Sequence, residues 1–175
     1  MDIVAAGPAD EALLLELLNS TPVIDGVARD ELDDPARAQA WLDSHGVGPA
    51  TEQQLRELFD LRAALQDVVR GDRSPQELQP FLDDVGLSPA LEEHGLTWTL
   101  TTHGTSAAAA RAILAWDALR ISSPGRLRPC ANPECRLFLI DRSKPNTARW
   151  CSMAICGNRM KARRHYQRTK GTTSE

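Results

Sequence analysis

The four cysteines of this chain all lie within 27 positions, in the pattern C-x4-C-x15-C-x4-C. Two close pairs separated by a stretch that can fold as a hairpin can bring four thiolates around one tetrahedral zinc ion. A segment of about 45 residues has too small a core to fold without a metal or another cross-link. The spacing therefore predicts one structural Zn²⁺, whose binding supplies folding free energy. Its ligands would be Cys130, Cys135, Cys151 and Cys156.

Other uses of these cysteines fit the sequence less well. Two disulfides require an oxidising compartment, and Met1-Asp2-Ile3 lacks the basic and apolar regions of a secretory signal. A redox pair usually has the spacing C-x-x-C, which is absent. A catalytic zinc keeps a position open for water, whereas four cysteines fill the shell. No apolar run approaches the ~20 residues that cross a bilayer, so we expect a cytoplasmic protein that does not contact membranes.

The charge of the chain reverses its sign near residue 120. Residues 1–119 contain seven Lys/Arg and 21 Asp/Glu, a net charge of −14, whereas residues 120–175 contain 13 and three, a net charge of +10. This asymmetry predicts two parts with different partners, and the basic part has the charge of a polyanion-binding surface. The alternative is that the two parts pack together and each neutralises the net charge of the other.

Residues 1–121 are predicted to form a mainly helical domain with a short β element. Capping residues ahead of apolar stripes indicate helix starts at Asp10, Asp34, Thr51 and Ser74. The helix that starts at Ser74 is expected to reach Gly86, and a final helix covers residues 105–120. The alternating segment Leu96–Thr102 predicts a strand, one arm of a hairpin. The apolar stripes and the tryptophans at 41, 98 and 116 are assigned to the core.

Residues 126–170 are predicted to form a small zinc module of hairpin plus helix, similar to a treble clef. Leu137–Ile140 has the composition of a short strand, residues 141–147 are turn-like, and Trp150 is expected to pack over the metal site. A helix follows from Cys156 to Lys170, and residues 171–175 are expected to be a disordered tail.

The last helix is predicted to be two-sided. At ~100° per residue, Ile155, Ala162 and Tyr166 share one side, which we expect to dock on the zinc core. The opposite side would be a cationic strip that supplies the sequence-independent part of nucleic-acid affinity. This strip consists of Lys161, Arg164 and Arg168, with His165 at its edge and Arg163 flanking the apolar side.

Arg159 falls on the same side of this helix as Ile155 and Tyr166, where its charged guanidinium would need an acidic partner. Asp141 and Glu134 are the acidic residues near it in sequence. We expect Arg159 to be partly structural, bracing the hairpin turn at Asp141 against the helix.

The segments 130–135 and 150–161 resemble the CGNR zinc finger. They share the Cys-Gly-Asn-Arg signature, the Trp-Cys-Ser-Met lead-in, all four cysteines and the basic tail. Residues 1–120 are more loosely similar to the ABATE domain that usually precedes this finger, through Leu17-Leu18-Asn19-Ser20-Thr21, the Trp41-Leu42 helix and the order of elements. The resemblance implies a bacterial, stress-induced transcription regulator with the finger as its DNA-binding part. It carries over Asn158 and Arg159 as signature residues, which serve the scaffold or the contact.

These observations predict a transcription regulator that binds DNA through a structural zinc finger with a basic helix. The expected contacts are Arg159, Lys161, Arg163, Arg164 and Arg168, and the expected structural supports are Trp150, Asn158 and Asp141. The acidic domain would sense a small-molecule effector or form a homodimer. The alternatives are a zinc-dependent protein–protein interaction module and an RNA binder. No nucleophile–base motif or phosphate loop accompanies the four scattered histidines, so we expect no enzymatic activity.

Overall fold

In the part of the chain that the structure describes, the fold consists of helices with three small antiparallel strand pairs. A computed structural model describes residues 7–24, 26–104 and 106–171. The helices are α1 (Pro8–Asn19), α2 (Pro35–Ser44), α3 (Glu52–Arg70), α4 (Ala107–Ser122) and α5 (Asn158–Gly171). The pairs are β1 (Val23–Ile24) with β2 (Val27–Ala28), β3 (Val85–Glu92) with β4 (Gly95–Thr102), and β5 (Leu127–Pro129) with β6 (Phe138–Ile140). A mainly helical fold that ends in a hairpin-plus-helix zinc module is thus confirmed. Of the predicted tail, residues 172–175 lie outside the described residues.

Local capping chemistry explains where the helices begin. The Asp34 carboxylate accepts hydrogen bonds from the N–H groups of Ala36 and Arg37 at the start of α2, as expected for an N-cap. Thr51 and Gln54 cap α3 reciprocally, as predicted. Asp10, however, is not the N-cap of α1. The helix begins at Pro8, and Asp10 lies in its first turn and accepts a hydrogen bond from Gly7 N–H at 3.2 Å.

The segment after α3 corrects a second expectation. The predicted helix from Ser74 to Gly86 is a 3₁₀ helix that spans only Pro75–Leu82, because Pro80 lacks the N–H that an α-helix would need there. Val85 then begins β3, which pairs with β4 from Val85↔Thr102 to Glu92↔Gly95. The predicted strand at 96–102 is therefore one arm of a hairpin.

The core of the helical part lies around α1. Four leucines of α1 are fully buried against side chains of α3 and α4, and they are Leu13, Leu14, Leu17 and Leu18. Trp41 and Trp116 are only half-buried at the edge of this core, and Trp98 is half-buried on the β3–β4 hairpin. The tryptophans are thus peripheral rather than central. Within the described residues, none of the helices is long and apolar enough to cross a membrane.

The β5–β6 hairpin packs directly onto the helical core. The Phe138 side chain is 1% exposed and belongs to the same apolar cluster as the leucines of α1. The Asn19 amide binds the backbone of Phe138 twice: its oxygen accepts from Phe138 N–H at 2.7 Å, and its nitrogen donates to Phe138 C=O at 3.2 Å. The Arg70 guanidinium lies 4.6 Å from the Phe138 ring centre. The orientation of the cysteine module is therefore fixed by α1 and α3.

Candidate metal centre and nucleic-acid interface

Two backbone segments bring the cysteines together. Cys130 follows β5 and Cys135 precedes β6, so that the first pair closes the hairpin; Cys130 N–H donates to Leu137 C=O at 2.8 Å. Ala131 N–H donates to Arg149 C=O at 2.8 Å, which places the chain just before Cys151 beside the first pair. Cys156 lies in a π-helical turn, Met153–Gly157, that leads into α5.

The four sulfurs have the spacing that one zinc ion requires. All of them lie within 4.8 Å of one another, and Cys151 Sγ is 3.7 Å from both Cys135 Sγ and Cys156 Sγ. Tetrahedral coordination with Zn–S bonds of ~2.3 Å places sulfurs ~3.8 Å apart. A disulfide would require ~2.05 Å. The cluster therefore fits a single structural zinc whose shell is filled by sulfur, which leaves no position for a reacting water.

Two of the four thiols resist ionisation in the absence of a cation. Burial raises the pKa of Cys135 to about 11. Burial, together with the neighbouring Cys135, raises the pKa of Cys151 further. For Cys156 burial acts in the same direction, but hydrogen bonds from Asn132 and from the other thiols outweigh it and lower the pKa. Since ionising several adjacent thiols is unfavourable, a divalent ion that binds thiolates supplies the missing positive charge.

Asn132 supports the ligands and was not identified from the sequence. Its side chain is completely buried, and its amide nitrogen donates to Cys156 Sγ at 3.4 Å. Its amide oxygen accepts from Glu134 N–H at 3.3 Å, which shapes the loop between the first two cysteines. The available signal was an asparagine inside a short Cys-x4-Cys loop, a position from which a side chain can reach back to the metal ligands.

Trp150 lies beside Gly157, the residue that follows Cys156. A Cβ added at Gly157 would lie 3.3 Å from Trp150 Cδ1 and 2.9 Å from two side-chain atoms of Met153. The Met153 atoms are the end of a flexible, half-exposed side chain that can move aside, so Trp150 is the neighbour that disfavours a larger residue at position 157. Asn158 begins α5 and donates from its amide to Ala154 C=O at 3.2 Å, which ties the helix to the π-helical turn.

Asp141 organises the loop between the two cysteine pairs. Its buried carboxylate accepts hydrogen bonds from Ser143 N–H and Ala148 N–H, both at 2.8 Å, and from Arg128 at 2.9 Å. The Ser143 hydrogen bonds lower the pKa of this carboxyl most, and burial partly opposes them. The expected brace between Arg159 and Asp141 is wrong, because Arg128 occupies the place beside the carboxylate.

The predicted docking face of α5 does not dock. Ile155 is 61% exposed and Tyr166 is 62% exposed, and Ala162 is exposed as well. These three residues are largely exposed, so this side of the helix is not buried on the zinc core. Arg159 is also exposed and lies with Ile155 at a groove of about 420 Å³ between α1 and the cysteine module.

The basic residues of α5 from Arg159 to Arg168 are exposed. The side chains predicted to form the cationic strip line one shallow depression: Lys161, Arg164, His165 and Arg168. Arg163 has a different environment, because it forms an ion pair with Glu134 at 2.6 Å. An ion pair between Arg142 and Glu11 links the module to the acidic domain. Packing of the acidic domain over the strip is therefore not observed within the described residues.

Two protein-family models match the chain. The model of the CGNR zinc finger matches residues 126–169. The ABATE model, described as "Putative stress-induced transcription regulator", matches residues 11–123. No curated protein matches the chain significantly. Because the match covers well over half of the sequence and the second match continues from it, the chain belongs to the ABATE family and ends in a zinc finger of the CGNR type.

Proposed function

We propose that this protein is a cytoplasmic, non-enzymatic regulator of transcription that binds DNA through the exposed cationic side of α5. The observation that carries the proposal is the alignment of Lys161, Arg164 and Arg168, all of them exposed, along one depression on α5. Cations in such a row can contact successive phosphates, which supplies affinity for any duplex before bases are read.

The surroundings of the strip support a contact with an external polyanion. Lys161 and Arg164 form no ion pair with any acidic side chain in the described part of the chain. The zinc ligands hold the start of α5, and the ion pair between Arg163 and Glu134 fixes the helix to the first cysteine loop. Zinc would supply rigidity here, and the residues of α5 would supply the contact. We assign Lys161, Arg164 and Arg168 to phosphate or base contact, Arg163 mainly to orientation, and Arg159 to the edge of the interface.

The acidic domain would be the sensing or dimerising part. The groove between α1 and the zinc module is lined on both sides by apolar residues, among them Leu15, Ile24 and Leu137. A small effector bound there would contact both parts of the protein at once.

The proposal is tested by fluorescence anisotropy of the full-length, zinc-loaded protein with a labelled DNA duplex. If about four phosphates are neutralised, the slope of log K against log salt concentration is near −3.6. The double variant Lys161→Gln/Arg164→Gln should reduce the magnitude of this slope by about 1.8. The matched control is Arg56→Gln/Arg73→Gln, which removes two exposed positive charges from the acidic domain and should leave the slope unchanged.

Each alternative predicts a different result. Binding that is absent or insensitive to salt would overturn the proposal and favour a protein partner for the finger. Tighter binding to an RNA duplex of the same sequence would replace DNA by RNA as the ligand. Zinc content measured for every variant separates a loss of contact from a loss of folding.

A further inference from the structure

The four cysteines of the metal centre differ in how far solvent reaches them. Cys130 and Cys156 are buried, with 7% and 3% of their surface exposed. Cys135 and Cys151, which we call the outer pair, are only half-buried, and their sulfurs lie 3.7 Å apart. Buried structural cysteines are chemically inert, whereas reactive ones are partly exposed. Any chemistry at these sulfurs is therefore expected at the outer pair.

A groove leads from the surface to the outer pair. It is the groove of about 420 Å³ between α1 and the cysteine module, and both Cys135 and Cys151 lie in its wall. Cys156 also borders it but is almost completely buried. Ile24 of β1 lines the groove from the helical domain and is 42% exposed. A small uncharged oxidant can pass such apolar side chains, and the susceptibility of a cysteine to oxidation follows its exposure.

Hydrogen bonds distinguish Cys151 from the other three cysteines. Cys130 Sγ accepts from Cys151 N–H at 3.5 Å, and Cys156 Sγ accepts from a buried asparagine amide at 3.4 Å. The backbone of Leu137 donates to Cys135. Cys151 Sγ contacts the sulfurs of Cys135 and Cys156, and no N–H group among the described residues donates to it. An N–H donor stabilises the charge of a thiolate and makes it a weaker nucleophile. When all four are held as thiolates by a metal, Cys151 is thus the strongest nucleophile.

We propose that Cys151 and Cys135 form a reversible oxidation site for peroxides. The Cys151 thiolate attacks one oxygen of hydrogen peroxide, so that an S–O bond forms, the O–O bond breaks, and the hydroxide that leaves takes a proton from solvent. The Cys135 thiolate then attacks the Cys151 sulfur, so that an S–S bond forms and the S–O bond breaks, and a second hydroxide takes a second proton. The two sulfurs lose two electrons, and the peroxide is reduced to two waters.

This disulfide would dismantle the metal centre. Only Cys130 and Cys156 would remain as ligands, and two sulfurs do not fill the tetrahedral shell of a structural zinc. Because metal binding supplies folding free energy, its loss would release the start of α5 from the hairpin. Under the proposed function, peroxide would then lower the affinity for DNA. The oxidation itself does not rest on DNA binding, since its test follows sulfur and zinc alone.

The test treats the full-length, zinc-loaded protein with a small excess of hydrogen peroxide. Zinc release is followed with a chromophoric indicator, and disulfides are identified by mass spectrometry of unreduced peptides. We expect the Cys135–Cys151 disulfide to be the main product and to form in step with the release of one zinc ion per chain. A sulfenic-acid trap added with the peroxide should label Cys151. Another main disulfide, zinc release without a disulfide, or retention of zinc by the oxidised protein would overturn the proposal.

Access through the groove is tested in the β1–β2 hairpin, away from the metal ligands. Ile24→Trp narrows the groove and should slow zinc release by peroxide roughly threefold or more, since reactivity follows exposure. Val27→Trp is the matched control, because Val27 pairs with Ile24, is 60% exposed and does not line the groove. Its rate should stay within about twofold of the parent rate. Zinc release without peroxide is the baseline for each variant, and an unchanged Ile24→Trp rate or equal slowing in both variants would contradict this route.

Discussion

Replacing Asn19 with alanine tests how the zinc module is held on the helical domain. The change removes two hydrogen bonds to the Phe138 backbone, of 2.7 and 3.2 Å, both partly buried. A hydrogen bond contributes a net ~1 kcal/mol, so the free energy of unfolding should fall by about 2 kcal/mol. That is roughly a thirtyfold change in the unfolding equilibrium. The assay is urea denaturation of the zinc-loaded protein followed by circular dichroism.

A second readout of Asn19→Ala separates docking from general stability. Because β6 directly follows the first cysteine pair, loosening it should also speed the release of zinc to a chromophoric chelator. Gln79→Ala is a suitable control, since it makes a similar truncation at an exposed side chain with one 3.4 Å hydrogen bond. The reasoning would be refuted if Asn19→Ala lowered the unfolding free energy by less than about 0.5 kcal/mol, the range of ordinary surface changes.

Three further outcomes are expected. Asn132→Ala should weaken zinc affinity about 10- to 100-fold in a competition titration with a chelator, because Cys156 loses its donor; unchanged affinity would contradict this role. Gly157→Val should lower the midpoint of thermal unfolding of the zinc-loaded protein, since the valine side chain would crowd the Trp150 ring. An unchanged midpoint would contradict the proposed close packing at residue 157. Burial raises the pKa of Asp30, but the hydrogen bonds from Arg62 outweigh it, so the pKa in the folded protein lies below the ordinary value of 3.8. The ionised carboxylate should therefore stabilise the folded protein at any pH above 3.8. This contribution should be lost as the pH falls from 3.8 through the lower pKa of the folded state. Asp30→Asn should therefore be destabilised at pH 7, and its difference from the parent in urea should shrink in that acid range; a constant difference would exclude this linkage.

Local chemistry made part of the fold predictable. Asp34 and Thr51 cap the following helices through atoms within three residues, so the sequence alone contains the whole interaction. The strand β3 could not be recognised in this way, because Pro89 argues against a strand and its partner β4 lies beyond a turn. The helical wheel identified which residues of α5 share a side. It could not show that Ile155, in the π-helical turn before α5, and Tyr166 would stay largely exposed.

In the candidate site, too, interactions between neighbours in sequence were predictable and contacts between distant segments were not. Cysteine spacing was enough to identify the zinc ligands, because their convergence follows from two short loops. The role of Asn19 had no local signal, since 119 positions separate it from Phe138. Net charge also overstated the free cations of the module. Arg126 donates to the carbonyls of Asp141 and Ser143, and Arg128 binds the Asp141 carboxylate, so both stabilise the loop.

The distribution of ion pairs bears on how the proposed regulator would approach DNA. Arg142 and Arg163 have acidic partners, Glu11 and Glu134, whereas Lys161 forms no ion pair within the described residues. A duplex that approached from the acidic domain would meet a net charge of −14 and be repelled within about a Debye length, ~8 Å at physiological salt. The β5–β6 hairpin of the zinc module is held on α1 by Asn19 and on α3 by Arg70, so the module would present α5 from one side of the acidic domain. The acidic domain would therefore restrict the orientation of DNA as well as carry the finger.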